Sequence, residues 1–168
     1  MRRLASQVVE NYEAEDSIII IGIQEKGVIL AERLIELIQK EAPESTISLG
    51  KLDITFYRDD FRMRETPLKA NATQIDFSID NRNILLIDDV LYTGRTIHAA
   101  ISALQDFGRP SKVELLTMVD RRFNRHLPIF SDYTGLQVDA LDEAYVKVEW
   151  AHLEGKYKVM IFSANKKS

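Results

Sequence analysis

Asp88 and Asp89 stand side by side, and shortly after them the chain reads Thr93, Gly94, Arg95, Thr96. Adjacent carboxylates accept hydrogen bonds from a diol or hold a hard cation. Hydroxyls and a glycine at a helix start do the opposite: backbone N–H groups, the Thr93 and Thr96 side chains and the positive helix end converge on an anion, and Gly94 lets the main chain come close. The two halves conflict unless one ligand carries both a diol and an anionic group. A phosphorylated ribose does, with its hydroxyls at the acids and its 5-phosphate in the amide nest. The run from Ile84 through Thr96, in which Val90, Leu91 and Tyr92 join the acids to the turn, therefore reads as a ribose 5-phosphate site. An isolated acid pair or Thr-Gly pair would more often be a plain strand end and helix start. It is the order of apolar strand, acids, aromatic residue, turn and helix that favours function. A phosphoacceptor receiver domain, which also puts acids at strand ends, spreads them over separate strands and lacks the turn.

Such acids must be delivered by a strand, and Ile84 to Ile87 is an unbroken apolar run that stops at Asp88. Open parallel sheets bind ligands beyond the carboxyl ends of their strands. Ser17 to Ile23 and Lys112 to Val119 read as two more buried strands. Helical spacing places helices at about Arg2 to Glu13 (Leu4, Val8, Val9, Tyr12) and at Val28 to Lys40 (Ile29, Leu30, Leu34, Leu37, Ile38). A third runs from Thr96 to Phe107, with Ile97, Ala100, Ile101 and Leu104 inward and Gly108 and Pro110 closing it. Ile47 to Tyr57 alternates like a strand with a bend near Gly50. The alternation of strands and helices predicts an α/β fold, a mainly parallel central sheet flanked by helices, in one domain over residues 1–168. Residues 58–74, charged and without apolar period, predict a mobile loop. After Arg121 a polar connection leads to a hairpin of Tyr145 to Trp150 and Lys156 to Phe162, turning at Glu154 and Gly155.

The chain has 168 residues, 45% of them hydrophobic, within reach of a single core. With 22 basic against 26 acidic residues and a net charge of -4, it is not a nucleic-acid footprint as a whole. The lack of any Cys excludes disulfides, thiolate metal sites and a Cys nucleophile, and leaves oxygen ligands for a metal. The first residues form an amphipathic pattern rather than a leader, and no apolar stretch is long enough for a bilayer, so a cytoplasmic protein without a membrane partner is expected. His98, His126 and His152 are scattered and read as structural or surface residues.

The segment LLIDDVLYTGRTIHAAISAL resembles the 5-phosphoribosyl diphosphate motif of type I phosphoribosyltransferases, and specifically the PyrR group of pyrimidine operon regulators and uracil phosphoribosyltransferases. The similarity continues in GIQEKGVILAERL, LDITFYRDD, FGRPSKVELLTMVDR and LPIFSDYTG, and spans roughly residues 1–135. It implies that Asp88 and Asp89 bind the ribose 2- and 3-hydroxyls, directly or through Mg2+, and that Thr93, Gly94, Arg95 and Thr96 hold the 5-phosphate. It also implies a diphosphate loop at Glu25, Lys26 and Gly27, although a solvated turn would look the same. Arg58, Arg62 and Arg64 would lie in a lid that excludes water and brings cations to the leaving diphosphate; a solvated charged loop fits Arg62 and Arg64 nearly as well. Asp53 and Asp59 are candidate outer metal ligands, or surface ion-pair partners. A hood at about residues 120–140 would place Asp120 and Arg121 beside the acceptor base. A homodimer or larger homo-oligomer is implied as well.

Tyr92 occupies the position where purine-using relatives carry a proton-accepting Asp, which tilts the acceptor towards uracil and the product towards UMP. In other respects the chain departs from the PyrR pattern. Glu25 replaces a hydroxyl residue in the diphosphate loop. The hood reads DRRFNRHLPIFSD, one residue longer than the group's DRGHRELPIRAD, with Phe130 in place of Arg and Leu136 in place of Lys. Those positions belong to the group's basic RNA-binding face. RNA affinity derives largely from phosphate neutralisation, so RNA binding is expected to be weak or absent unless Arg121, Arg122, Arg125 and His126 form a replacement patch.

Overall fold

A computed structural model describes residues 1–13, 17–58 and 72–139, and the backbone of 145–150 and 157–162. The elements in chain order are α1 (Arg2–Tyr12), β1 (Ile18–Ile23), α2 (Lys26–Glu41), β2 (Ile47–Leu52), β3 (Asn83–Leu91), α3 (Arg95–Leu104), β4 (Lys112–Arg121) and β5 (Tyr133–Val138). Two more strands, β6 (Tyr145–Trp150) and β7 (Tyr157–Phe162), pair antiparallel as the expected hairpin. Its turn at Glu154 and Gly155, Arg62 and Arg64 of the expected lid, and Asp59 and His152 lie outside the described residues.

The five-stranded sheet has the order β2-β1-β3-β4-β5 and is parallel throughout. Unbroken apolar strands follow from its two covered faces. On β3, Leu85 and Ile87 enter the core with Leu4, Val8, Leu30, Leu34 and Ile38 of α1 and α2. Ile84 and Leu86 join the opposite core with Ile97, Ala100 and Leu104 of α3. The chain runs outward from β1 to β2 on one side and continues from β3 to β5 on the other. The switch point where parallel sheets hold ligands thus falls between the carboxyl ends of β1 and β3.

Four expectations need correction. The alternating run at Ile47 ends as a strand at Leu52, and Thr55–Tyr57 forms a short 3-10 turn. Asp53 causes the change, since its Oδ1 accepts the Thr55 N–H at 2.6 Å and turns the chain locally. The far end of the expected loop is pinned: Gln74 and Lys51 exchange both backbone hydrogen bonds at 2.8 Å. Ile101 is 40% exposed rather than in the core. The hood is shorter than residues 120–140, because Tyr133–Val138 is the fifth strand, with only its end residues Tyr133 and Val138 buried.

Gly27 was expected to serve a tight turn, but it lies within the first turn of α2, and its role is close approach. A Cβ there would meet the Ile87 carbonyl oxygen at 2.3 Å. Gly22, at the end of β1, is equally confined, with Val28 Cα 2.7 Å from a Cβ built on it. The Gly27 contact draws the start of α2 onto the end of β3, and the Gly22 contact holds it against β1. Gly27→Ala should therefore push α2 off the sheet and cost about 1–3 kcal/mol, even though alanine favours helix by up to about 1 kcal/mol. Urea denaturation measures this, and unchanged stability would mean the contact is readily relieved.

Candidate active site

At the end of β3, Asp88 and Asp89 are buried, with 7% and 9% exposure. The Asp89 N–H donates to Asp88 Oδ1 at 2.9 Å, so the two acids are mutually ordered. Asp89 shares the strand parity of Leu85 and Ile87, which face α2, and it meets Lys26 in the first turn of that helix at 3.0 Å (Nζ to Oδ2). The approach is off-axis, for Asp89 Oδ2 has no aligned hydrogen-bond donor despite its burial. Burial first, and the neighbouring Asp89 charge second, push the Asp88 carboxyl up to about 8. Lys26 and Arg58 act on it in the opposite direction, which places Arg58 within electrostatic reach of the pair.

Beyond the acids the chain leaves the sheet through Tyr92 and Thr93 and starts α3 at Arg95. Gly94 caps that helix with φ +91°, a left-handed conformation that side chains rarely adopt. Thr93 Oγ1 accepts the Arg95 N–H at 3.3 Å, and the first intrahelical bond runs from the His98 N–H to the Gly94 carbonyl at 3.0 Å. The amides of this first turn point out of the helix beside Thr96, where an anion is favoured by the helix terminus. The acids and the turn therefore share one carboxyl-end rim, as the sequence pattern requires.

The hood segment between β4 and β5 closes over this turn. The N–H groups of His126 and Leu127 both donate to the Thr93 carbonyl, at 3.0 and 3.2 Å. Arg125 donates to the Tyr92 carbonyl and, at 2.5 Å, to Asp120 Oδ1. The Arg121 guanidinium lies 3.9 Å from the centroid of the Tyr92 ring, a cation–π contact, while its Nε is buried without a partner. Asp120 and Arg121, expected beside the base, are thus brought to Tyr92, each already engaged. Arg125 as a latch between the hood and the turn at Tyr92 escaped sequence reading, because its partners are not apparent from the chain and an Arg in a polar loop carries no signal of its own.

On the other side of the acids, Gln24 and Glu25 link β1 to α2, and Lys26 and Gly27 open that helix. Gln24 Nε2 donates to the Ala72 carbonyl at 2.7 Å, tying this link to the segment that leads to β3. Asp53 is occupied by its turn and stands as no ready outer ligand. Among the described residues, no group of three or more acids or histidines could hold a metal by itself. The buried pair with its undonated Oδ2 suits a hard cation that takes its remaining ligands from a substrate's oxygens and water. Of the suggested basic patch, Arg122 is paired in bidentate fashion with Asp139 at 2.5 and 2.6 Å, Arg125 with Asp120, and Arg121 is buried on Tyr92. Phe123, Phe130 and Leu136 are 71%, 77% and 48% exposed around that face.

Comparison with known proteins agrees with this geometry. The family model for the phosphoribosyl transferase domain matches residues 1–153, so the chain belongs to the phosphoribosyltransferase family. Solved hypoxanthine-guanine phosphoribosyltransferase from Bacillus anthracis (TM-score 0.63, 20% identity, 82% of this chain and 74% of the other) shares the fold. So does hypoxanthine phosphoribosyltransferase of Trypanosoma cruzi (0.66, 14%, 86% and 77%). Within the family this chain is of the PyrR type. It is 40% identical over 164 residues to the bifunctional protein PyrR of Elusimicrobium minutum, covering 97% of this chain and 90% of the relative. To that of Acetivibrio thermocellus it is 43% identical over 164 residues, covering 98% and 88%. No described helix is long and apolar enough to cross a membrane.

The raised Asp88 carboxyl makes a pH prediction for the ligand-free protein. A carboxyl in the unfolded chain titrates near ~3.9, so between that pH and about 8 the folded state holds more protons than the unfolded one. This contribution to stability is complete below about pH 4 and is lost as pH rises towards about 8. In denaturant titrations across that range, Asp88→Asn should decline less steeply with pH than the wild type. Identical slopes would put the proton elsewhere.

Proposed function

We propose that the protein transfers the 5-phosphoribosyl group of 5-phosphoribosyl diphosphate to uracil, giving UMP and diphosphate. The observation that carries the choice of base is the Tyr92 cluster. Tyr92 stands before the Thr-Gly turn under Arg121, and the carboxylate of Asp120 is held by Arg125. No unpaired carboxylate among the described residues there offers a proton acceptor for a purine nitrogen. A uracil would instead meet backbone groups of the hood between Tyr92 and Leu127.

Under this reading, the Thr93–Thr96 turn and the start of α3 bind the 5-phosphate, and Asp88 and Asp89 accept hydrogen bonds from the ribose hydroxyls. Displacement at the anomeric carbon passes through an oxocarbenium-like state, and negative charge grows on the departing diphosphate. Glu25, Lys26 and Gly27 flank its path, with Arg58 close by and Arg62 and Arg64 assigned to the lid. Mg2+, held by Asp88 and Asp89 directly or through water, would supply neutralisation of diphosphate charge when bound. The buried acids and the hood keep water from competing as acceptor. The site is assigned to the cytoplasm, and Ile101 and Phe107, both exposed, provide apolar area for a homo-oligomer.

A second reading, an RNA-binding regulator responsive to UMP, is favoured by relatives named as bifunctional at 40% and 43% identity. The internal pairing of Arg122 and Arg125 speaks against it, because paired cations release few counterions from a phosphate backbone. Purified protein with Mg2+ and 5-phosphoribosyl diphosphate, offered each nucleobase in turn, should release diphosphate with uracil and not with hypoxanthine or guanine. Purine turnover would overturn the base assignment. In a filter-binding salt series, tight RNA binding with a steep slope would restore the regulator.

A further inference from the structure

Lys26 occupies a position that the diphosphate reading leaves unexplained. A residue that serves only a leaving diphosphate would extend into the cleft from the start of α2, yet its ammonium lies 3.0 Å from Asp89 Oδ2, the carboxylate assigned to the ribose. The two partners differ in freedom. The Asp89 side chain is 13% exposed on a central strand, while that of Lys26 is 48% exposed. The Lys26 backbone is fixed, because the adjoining Gly27 packs against the Ile87 carbonyl too closely to admit even a methyl group. Of the two, the Lys26 side chain is the more exposed and has the more room to move. Its grip on Asp89 is also incomplete, for Oδ2 has no aligned donor.

We propose that Lys26 is a resident counter-cation of the ribose site, which neutralises Asp89 in the free protein and is released to the diphosphate when the sugar diphosphate and its cation arrive. The inference rests on the phosphoribosyl reading of this site and adds an exchange to it. A buried carboxylate next to a second acid is costly to leave without a counter-charge. An ammonium beside Asp89 relieves that in the empty site. The same ammonium competes with any divalent cation for Asp89, so the metal alone binds poorly. A sugar diphosphate removes the competition by offering Lys26 a more highly charged partner next to the same helix start. Lys26 is thus a positioning residue that makes cation and substrate bind together. No bond is formed or broken in the exchange.

The test uses Mn2+ alone as the probe, followed by electron paramagnetic resonance of the free ion, with wild type, Lys26→Gln and Lys26→Arg. Loss of the ammonium should tighten Mn2+ binding roughly fivefold or more, as removal of a competing partly exposed ion pair allows. It should also weaken binding of 5-phosphoribosyl diphosphate, measured by calorimetry, by about tenfold. Lys26→Arg, which keeps the charge, should stay near wild type in both. An unchanged Mn2+ affinity in Lys26→Gln, with weakened sugar diphosphate binding, would make Lys26 a diphosphate ligand only and overturn the exchange. If wild-type protein fails to bind 5-phosphoribosyl diphosphate at all, the parent reading falls instead. Circular dichroism melting confirms that each variant is folded, as expected for a half-exposed side chain.

Discussion

The close approach of α2 to the carboxyl end of β3 is the constraint on which the site depends. Gly22 and Gly27 have no side chain because the Val28 backbone and the Ile87 carbonyl occupy that space. Through this contact the link after β1 sits beside the acids that end β3, at the point where the strand order reverses. A larger residue at either position would separate the cation of Lys26 from Asp89 and open the rim. The apolar layers beneath, Leu30 and Leu34 on one face and Ile97 and Ala100 on the other, hold the frame rigid. A stiff frame lets two carboxylates remain adjacent and buried.

A second clamp acts from the opposite side. Thr93 is the meeting point: its hydroxyl accepts the Arg95 N–H, and its carbonyl accepts two N–H groups from the hood. Arg125 fastens the same hood to Tyr92 and Asp120. The Thr93–Thr96 turn and the hood segment are therefore tied directly to each other. Under the proposed reaction the anomeric carbon would lie between the two groups of contacts, and a small displacement of either would misalign the attack.

Sequence reading reached the central strands, the three helices and the acid-and-turn motif because each leaves a local signature. Strands covered on both faces are apolar without interruption, and Asp88 and Asp89 interrupt one where ligands bind. It failed where structure is set by distant partners or by exposure. β5 carries no apolar run, since as an edge strand it buries only Tyr133 and Val138. The turn at Thr55 replaces a strand because one carboxylate, Asp53, captures a backbone N–H. Gly27 was noticed for the wrong reason: the sequence shows a glycine near a helix start, while the close contact with Ile87 arises only on packing. Residues Arg121, Arg122 and Arg125 read as a basic run, and folding gives each its own partner.

The central claim is that one ligand satisfies the buried acids and the Thr93–Thr96 turn together. Calorimetric titration with 5-phosphoribosyl diphosphate in the presence of Mg2+ tests it most directly, on wild type, Asp89→Asn and Gly94→Val. Saturable binding by the wild type is expected, with at least about tenfold weakening in either variant, since one removes a charged acceptor and the other the left-handed cap. Wild-type affinity in Asp89→Asn, or no binding by the wild type, would contradict the account.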